Sequence, residues 1–173
     1  MSDLTPSQTV GPYFGIMLDG RRQCRQVLAA AAATPIVIDG QVFDGAGNVI
    51  PDALVETWQV DPPSDARFNG YGWAHTNADG AFRFETIKPG GVPAPDGGTQ
   101  APHIDVSVMA RGILTRFITR VYFEDEPDNA ADPILALVPE DRRTTLLARR
   151  VGERSYRFNL VMQGAGETVF FDV

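Results

Sequence analysis

The stretch Ala101-Pro102-His103-Ile104-Asp105-Val106-Ser107-Val108-Met109 alternates apolar Ile104, Val106 and Val108 with His103, Asp105, Ser107 and Met109. That two-residue period predicts a strand with one apolar and one polar face. His103 and Asp105 then point the same way, about 7 Å apart along the chain. Ala110-Arg111-Gly112 turns the backbone, and Phe117 to Phe123 follows as a second strand. Phe117, Thr119, Val121 and Phe123 share one of its faces; Ile118, Arg120 and Tyr122 share the other.

The same texture runs upstream as far as Ile36. Ile36, Ile38 and Val42 alternate with Val37, Asp39 and Gln41, Asp44 to Asn48 makes a turn, and Leu54 to Val60 returns as a strand. Phe68 to Trp73 is punctuated by glycine and reads as irregular. Ala74-His75-Thr76 and Ala81 to Glu85 flank Asn77-Ala78-Asp79-Gly80 as a hairpin, with Phe82 and Phe84 on one face. Lys88 to Gly98 is a long proline–glycine loop of the kind that lines sites. Downstream, Asp132 to Leu137 reads as a connector. Pro139 to Arg150 reads as a short helix, with acids early and arginines late to suit the helix dipole. Tyr156 to Met162 and Thr168 to Val173 read as closing strands. Many short strands and few helices make a mainly β fold, a two-sheet β-sandwich with an N-terminal arm and two short helices.

The arm and first helix occupy residues 1–35 and the sandwich residues 36–173. Met1 to Ile16 holds Pro6, Pro12, Gly11 and Gly15, so it forms no regular element. It also holds Val10, Tyr13 and Phe14, too much apolar surface to leave in water, and should pack on this domain or on another chain. Asp19 to Ala33, with its alanine run, predicts a helix that Thr34-Pro35 ends.

A chain of 173 residues, 43% of them hydrophobic, can bury one core of its own. A net charge of −7 argues against a nucleic-acid binder, which needs a basic stripe to meet phosphates. Lys88 is the only lysine among 15 basic residues. Arginine grips carboxylates in a fixed fork, although genome composition produces the same bias. One cysteine, Cys24, excludes an intrachain disulfide framework. No signal peptide and no run of eighteen apolar residues is visible, so a soluble, cytoplasmic protein without a membrane partner is expected.

His75 and His103 are the only histidines. His103 with Asp105 supplies half of a metal site; a third ligand must come from elsewhere, and the plain reading is a hydrogen-bonded histidine beside an ordinary aspartate. His75, in a strand next to a turn, reads as a rim residue. Ser107 shares the face of His103 and Asp105, but three alternating residues of one strand make a poor triad and no nucleophile elbow is present. Arg111, at a turn after a strand, is by default a solvated arginine; its functional reading is a cation offered to a carboxylate of a ligand or partner. Arg120 lies mid-strand and needs an anion if its face is covered, with Asp105 nearest by topology.

Longer segments carry a resemblance. Thr5 to Tyr13 (Thr-Pro-Ser-Gln-Thr-Val-Gly-Pro-Tyr), Gly40 to Gly45, Glu56-Thr-Trp-Gln59, Thr86-Ile-Lys-Pro-Gly90, Ala101-Pro-His-Ile104, Ile118 to Phe123, Tyr156-Arg-Phe158 and Gly166 to Asp172 resemble the intradiol ring-cleavage dioxygenases, in the family's order. The resemblance implies ferric iron held by two tyrosines and two histidines in members that bind it. Here the His-x-His strand reads His103-Ile104-Asp105, Val92 stands where one tyrosine would follow Lys-Pro-Gly, and Val60 to Arg67 holds no tyrosine. The pattern is therefore similar to the family's alpha type of subunit, whose own site is degenerate at His103, Asp105, Arg120 and Val92. Fe(III) would sit in a homologous beta chain, the partner in a hetero-oligomer, where protocatechuate and dioxygen react. The resemblance further implies that Thr9, Gly11, Pro12 and Arg111 line the partner's substrate cavity. A second reading is a non-enzymatic module of the transthyretin or carboxypeptidase-regulatory type, which shares the Val42 to Gly47 turn and the Asp79 to Phe84 pattern but not the N-terminal arm.

Overall fold

The computed structural model describes residues 23–29, 33–95 and 97–172. Along them run the strands Gln23–Cys24 (β1), Ile36–Phe43 (β2), Leu54–Trp58 (β3), Tyr71–His75 (β4), Ala81–Thr86 (β5), Val92–Pro93 (β6), Thr99–Gln100 (β7), His103–Met109 (β8), Phe117–Phe123 (β9), Leu147–Gly152 (β10), Ser155–Arg157 (β11) and Leu160–Val161 (β12). Short 3-10 helices at Pro127–Ala131, Leu135–Leu137 and Glu140–Leu146 fill the connection between β9 and β10.

Ten of these strands form one hydrogen-bonded network in the order β1-β4-β3-β8-β9-β10-β11-β2-β12, with β5 on β2. The first five make an antiparallel leaf, and β5, β2 and β11 make the facing one. β10 serves both: Leu147 and Ala148 pair with Tyr122 and Phe123, and Arg149 and Arg150 pair with Arg157 and Tyr156. The two-layer sandwich is thereby closed along one side, nearly a barrel.

The alternating residues sit where their period predicts. Ile104, Val106 and Val108 of β8 and Val121 and Phe123 of β9 face Ile36, Ile38, Val42, Phe82 and Phe84 in the main core. Gly40 interrupts the apolar series of β2 because a Cβ there would lie 1.8 Å from the Phe158 carbonyl oxygen. A second, smaller core lies outside the antiparallel leaf, where Tyr122 and Ala101 pack with Leu135, Val138 and Leu146. The 3-10 helices thus cover the polar face of β9, and that cover creates the buried environment described below.

Five local expectations are corrected. Residues 23–29 are not helical: β1 pairs with β4, Val27 bridges Phe68, and the buried Gln26 amide donates to the Gly70 carbonyl at 3.2 Å. An open strand edge outweighs alanine's helix propensity, which is only a weak prior. The remainder of the expected helix, like the arm with Thr9, Gly11 and Pro12, lies outside the described residues. Tyr71–Trp73 is strand, and the Asn77–Gly80 turn does not close a hairpin ladder. Gly80 takes φ +67° there and β4 leaves in one leaf while β5 enters the other. Pro139 to Arg150 is helical only over Glu140–Leu146, as a 3-10 helix, because Leu147 and Ala148 extend the sheet instead. The closing segments are shorter than expected. Tyr156 to Met162 breaks into β11 and β12, and among the described residues Thr168 to Asp172 makes one bridge, Phe171 to Ile118.

Candidate functional site

β8 carries candidate residues at both ends. At its start, His103 pairs with Tyr122 and Asp105 with Arg120, so four polar or aromatic side chains form a square on the outer face of β8 and β9. Arg120 lies along this square. Its Nε is 2.9 Å from Asp105 Oδ1, and its Nη1 donates to Gln100 Oε1 at 2.7 Å and to Tyr122 Oη at 3.4 Å. Gln100 in turn pairs with Val92 across the β6–β7 ribbon. The structure therefore brings His103, Asp105, Arg120 and Val92 into one neighbourhood.

Beneath the square lies Asp132, only 1% exposed. Its Oδ1 accepts from the Tyr122 hydroxyl (3.1 Å) and from the backbone N–H groups of Ile134 (2.9 Å) and Leu135 (2.6 Å). Its Oδ2 accepts from the Ala101 N–H at 2.7 Å. The Ala101 carbonyl then lies 2.7 Å from His103 Nδ1. A carbonyl oxygen can only accept, so Nδ1 carries the proton and Nε2 keeps its lone pair. Burial lowers the His103 pKa, and the Arg120 charge adds to that against the Ala101 bond and the Asp105 charge. Burial likewise pushes the Tyr122 phenol up to about 12, so it stays a neutral donor.

The tyrosine-and-histidine donor set that the resemblance implies for ferric iron does not fit here. Val92 offers no donor atom, Val60 to Arg67 contains no tyrosine, and the Asp105 carboxylate is held by a guanidinium. Among the described residues no group of three or more His, Cys, Asp or Glu is placed to hold a metal ion. His75 cannot join His103. It pairs with Leu54, which pairs with Met109 at the far end of β8, and its ring stands edge-on to Trp73 at 5.7 Å. Ser107 is engaged elsewhere, donating to Glu56 Oε2 at 2.7 Å, while Tyr71 donates to Oε1 at 2.6 Å.

Arg111 occupies the opposite end, roughly 20 Å of strand away. Its Nε and Nη2 both lie 2.6 Å from Asp52 Oδ2, and its side chain is 79% exposed. The structure thus separates Arg111 from the His103 square. Its carboxylate partner belongs to its own chain, and the guanidinium still faces outward.

Asp132 and Gln100 are the functional-site residues that sequence reasoning passed over. An Asp-Pro step signals a local turn, and Asp132 does cap the turn at Ile134 and Leu135. Its reach to Tyr122 and Ala101 depends on the second core folding over β9, which no local signal carries.

Residues 10–164 match the family model described as Dioxygenase. The chain is 46% identical to the protocatechuate 3,4-dioxygenase alpha chain of Burkholderia cepacia, over 98% of this chain and 97% of that one. It is 32% identical to the beta chain of the same organism, over 77% of this chain and 66% of that one. Among solved structures, the dioxygenase domain of a carbohydrate-binding fusion from Streptomyces sp. SirexAA-E superposes with a TM-score of 0.62 at 30% identity, covering 94% of this chain and 99% of that one.

Proposed function

The chain belongs to the intradiol dioxygenase family, and from that premise we propose that it is the alpha-type subunit of a protocatechuate 3,4-dioxygenase. In this reading it binds no iron itself. A homologous beta chain holds Fe(III), and the alpha chain helps to shape the cavity in which protocatechuate and dioxygen become 3-carboxy-cis,cis-muconate, by cleavage between the two hydroxyl-bearing carbons. The observation that carries it is the Asp105–Arg120 ion pair at 2.9 Å beside His103. A carboxylate already neutralised by a guanidinium, beside a Tyr122 phenol that burial keeps protonated and that donates to Asp132, cannot replace the electron-rich donor set of a ferric centre.

Arg111 is the contribution from the described residues. Protocatechuate is an anion, and an exposed guanidinium at a strand end attracts it and fixes its carboxylate. Thr9, Gly11 and Pro12 of the arm line the same cavity in this reading. The arm's Val10, Tyr13 and Phe14 supply the apolar surface that a partner would cover. Hetero-oligomeric assembly in the cytoplasm follows from the same reading. No helix of the described residues is long and apolar enough to cross a membrane. A free-standing transthyretin-like module leaves the near full-length match to an alpha chain unexplained.

Co-expression with a beta-type chain tests the proposal. The expected product is a stable, red-brown complex, coloured by ferric tyrosinate in the partner, that consumes oxygen with protocatechuate. Failure of the two chains to co-purify, or a complex indifferent to protocatechuate, would refute it.

A further inference from the structure

We propose that Arg120 is the residue that keeps the His103 pocket closed to metal ions, by standing as an internal cation in the place a divalent ion would take. This rests on the proposed function and deepens it: it names the residue responsible for the pocket's lack of iron.

Half of a metal site survives in the pocket. His103 holds its Nδ1 proton on the Ala101 carbonyl at 2.7 Å, which leaves Nε2 as the nitrogen able to bind a metal. A second-shell hydrogen bond of this kind is what orients metal-ligating histidines. The arrangement is rigid, because the Ala101 N–H is pinned by the buried Asp132 at 2.7 Å and Tyr122 is pinned by the same carboxylate. Position 105, two residues on along β8, points to the same face as His103. Two imidazoles at that spacing would converge on one ion.

Arg120 opposes this on two counts. Its side chain runs beside both ligand positions, touching Asp105 through Nε and reaching Tyr122, the cross-strand neighbour of His103, through Nη1. Its side chain is only 19% exposed, so its charge is poorly screened. A divalent cation entering beside it meets like charge at a few ångströms. Asp105 in place of a histidine is therefore not the whole reason the pocket disfavours a metal ion, and a histidine there alone will not admit one.

The test is Ni2+ titrated by calorimetry into the isolated full-length chain, because imidazole pairs favour late first-row ions. Asp105→His alone should show no saturable site above the wild-type background. Asp105→His with Arg120→Gln should bind one Ni2+ at least about tenfold more tightly, a factor set by removing one unit charge at contact range. Adding His103→Ala to the double variant should abolish the gain. Asp105→His with Arg120→Lys, which keeps the charge, should behave like Asp105→His alone. Circular dichroism establishes that each variant is folded, and Arg120→Met replaces Arg120→Gln should the latter unfold the chain. The inference is overturned if Asp105→His alone, or with Arg120→Lys, binds as tightly as the neutral double variant. It is equally overturned if the folded neutral variants bind no Ni2+. Either result leaves co-purification and turnover with the beta-type chain untouched, so failure here is distinguishable from failure of the proposed function.

Discussion

At the His103 end of β8, Asp132 and Tyr122 find their partners under a cap of 3-10 helices, and Arg120, 19% exposed, reaches from them to Asp105 at the rim. At the Arg111 end, one guanidinium and Asp52 form a pair that is 79% and 39% exposed. The same strand therefore ends in a region that is expensive to alter and in one that costs the fold little. In an isolated alpha-type chain the buried end reads as structure and the exposed end as function offered outward. A buried polar group without a partner costs its full desolvation, whereas an exposed ion pair returns little.

The largest expected effect is at the buried end. Asp132→Ala strands the Tyr122 hydroxyl and three backbone N–H groups, and should cost about 3–5 kcal/mol in urea denaturation. A loss under about 1 kcal/mol would erase the contrast between the two ends. Next comes Arg111→Ala in the assembled complex. It should raise KM for protocatechuate about tenfold, the worth of one charge-assisted contact, while leaving iron content unchanged and stability within about 0.5 kcal/mol. Unchanged steady-state kinetics would count against the assignment. Tyr122→Phe should cost about 1 kcal/mol by removing the hydroxyl donated to Asp132.

Acid should act on the buried end as well. The His103 pKa is lowered in the folded chain by burial, so the unfolded chain takes up the proton first as pH falls. The stability tied to neutral His103 is complete above the ordinary histidine range and is lost as pH drops below it. From about pH 7 to 5 the wild type should lose more Tm than His103→Gln, a comparison that removes the parallel contribution of His75. Equal losses would show that His103 is not the titrating group. Smallest of all is Arg83→Ala. The Arg83–Asp39 pair is 62% and 31% exposed, and its loss should change stability by less than about 0.5 kcal/mol.

How much of this was legible in the sequence follows from how local each cause is. The period of Ile104, Val106 and Val108 placed β8 and its faces correctly, because side-chain alternation belongs to the strand itself. The proximity of Arg120 to Asp105 was likewise readable from two neighbouring strands of known face. The extended conformation of Gln23 and Cys24 was not, since the edge of β4 that they cover lies about fifty residues downstream. Nor was the split of Leu147 to Gly152 between two leaves, because each half answers to a different distant strand. The role of Asp132 fell between the two cases: its turn was local and its burial was not.

The most direct measurement is the metal content and oxygen uptake of this chain purified alone after expression with ample iron. The account predicts a colourless protein without stoichiometric iron that leaves protocatechuate intact, and activity that appears only when a beta-type chain is present. A solitary chain that carries its own iron and opens the ring would contradict it.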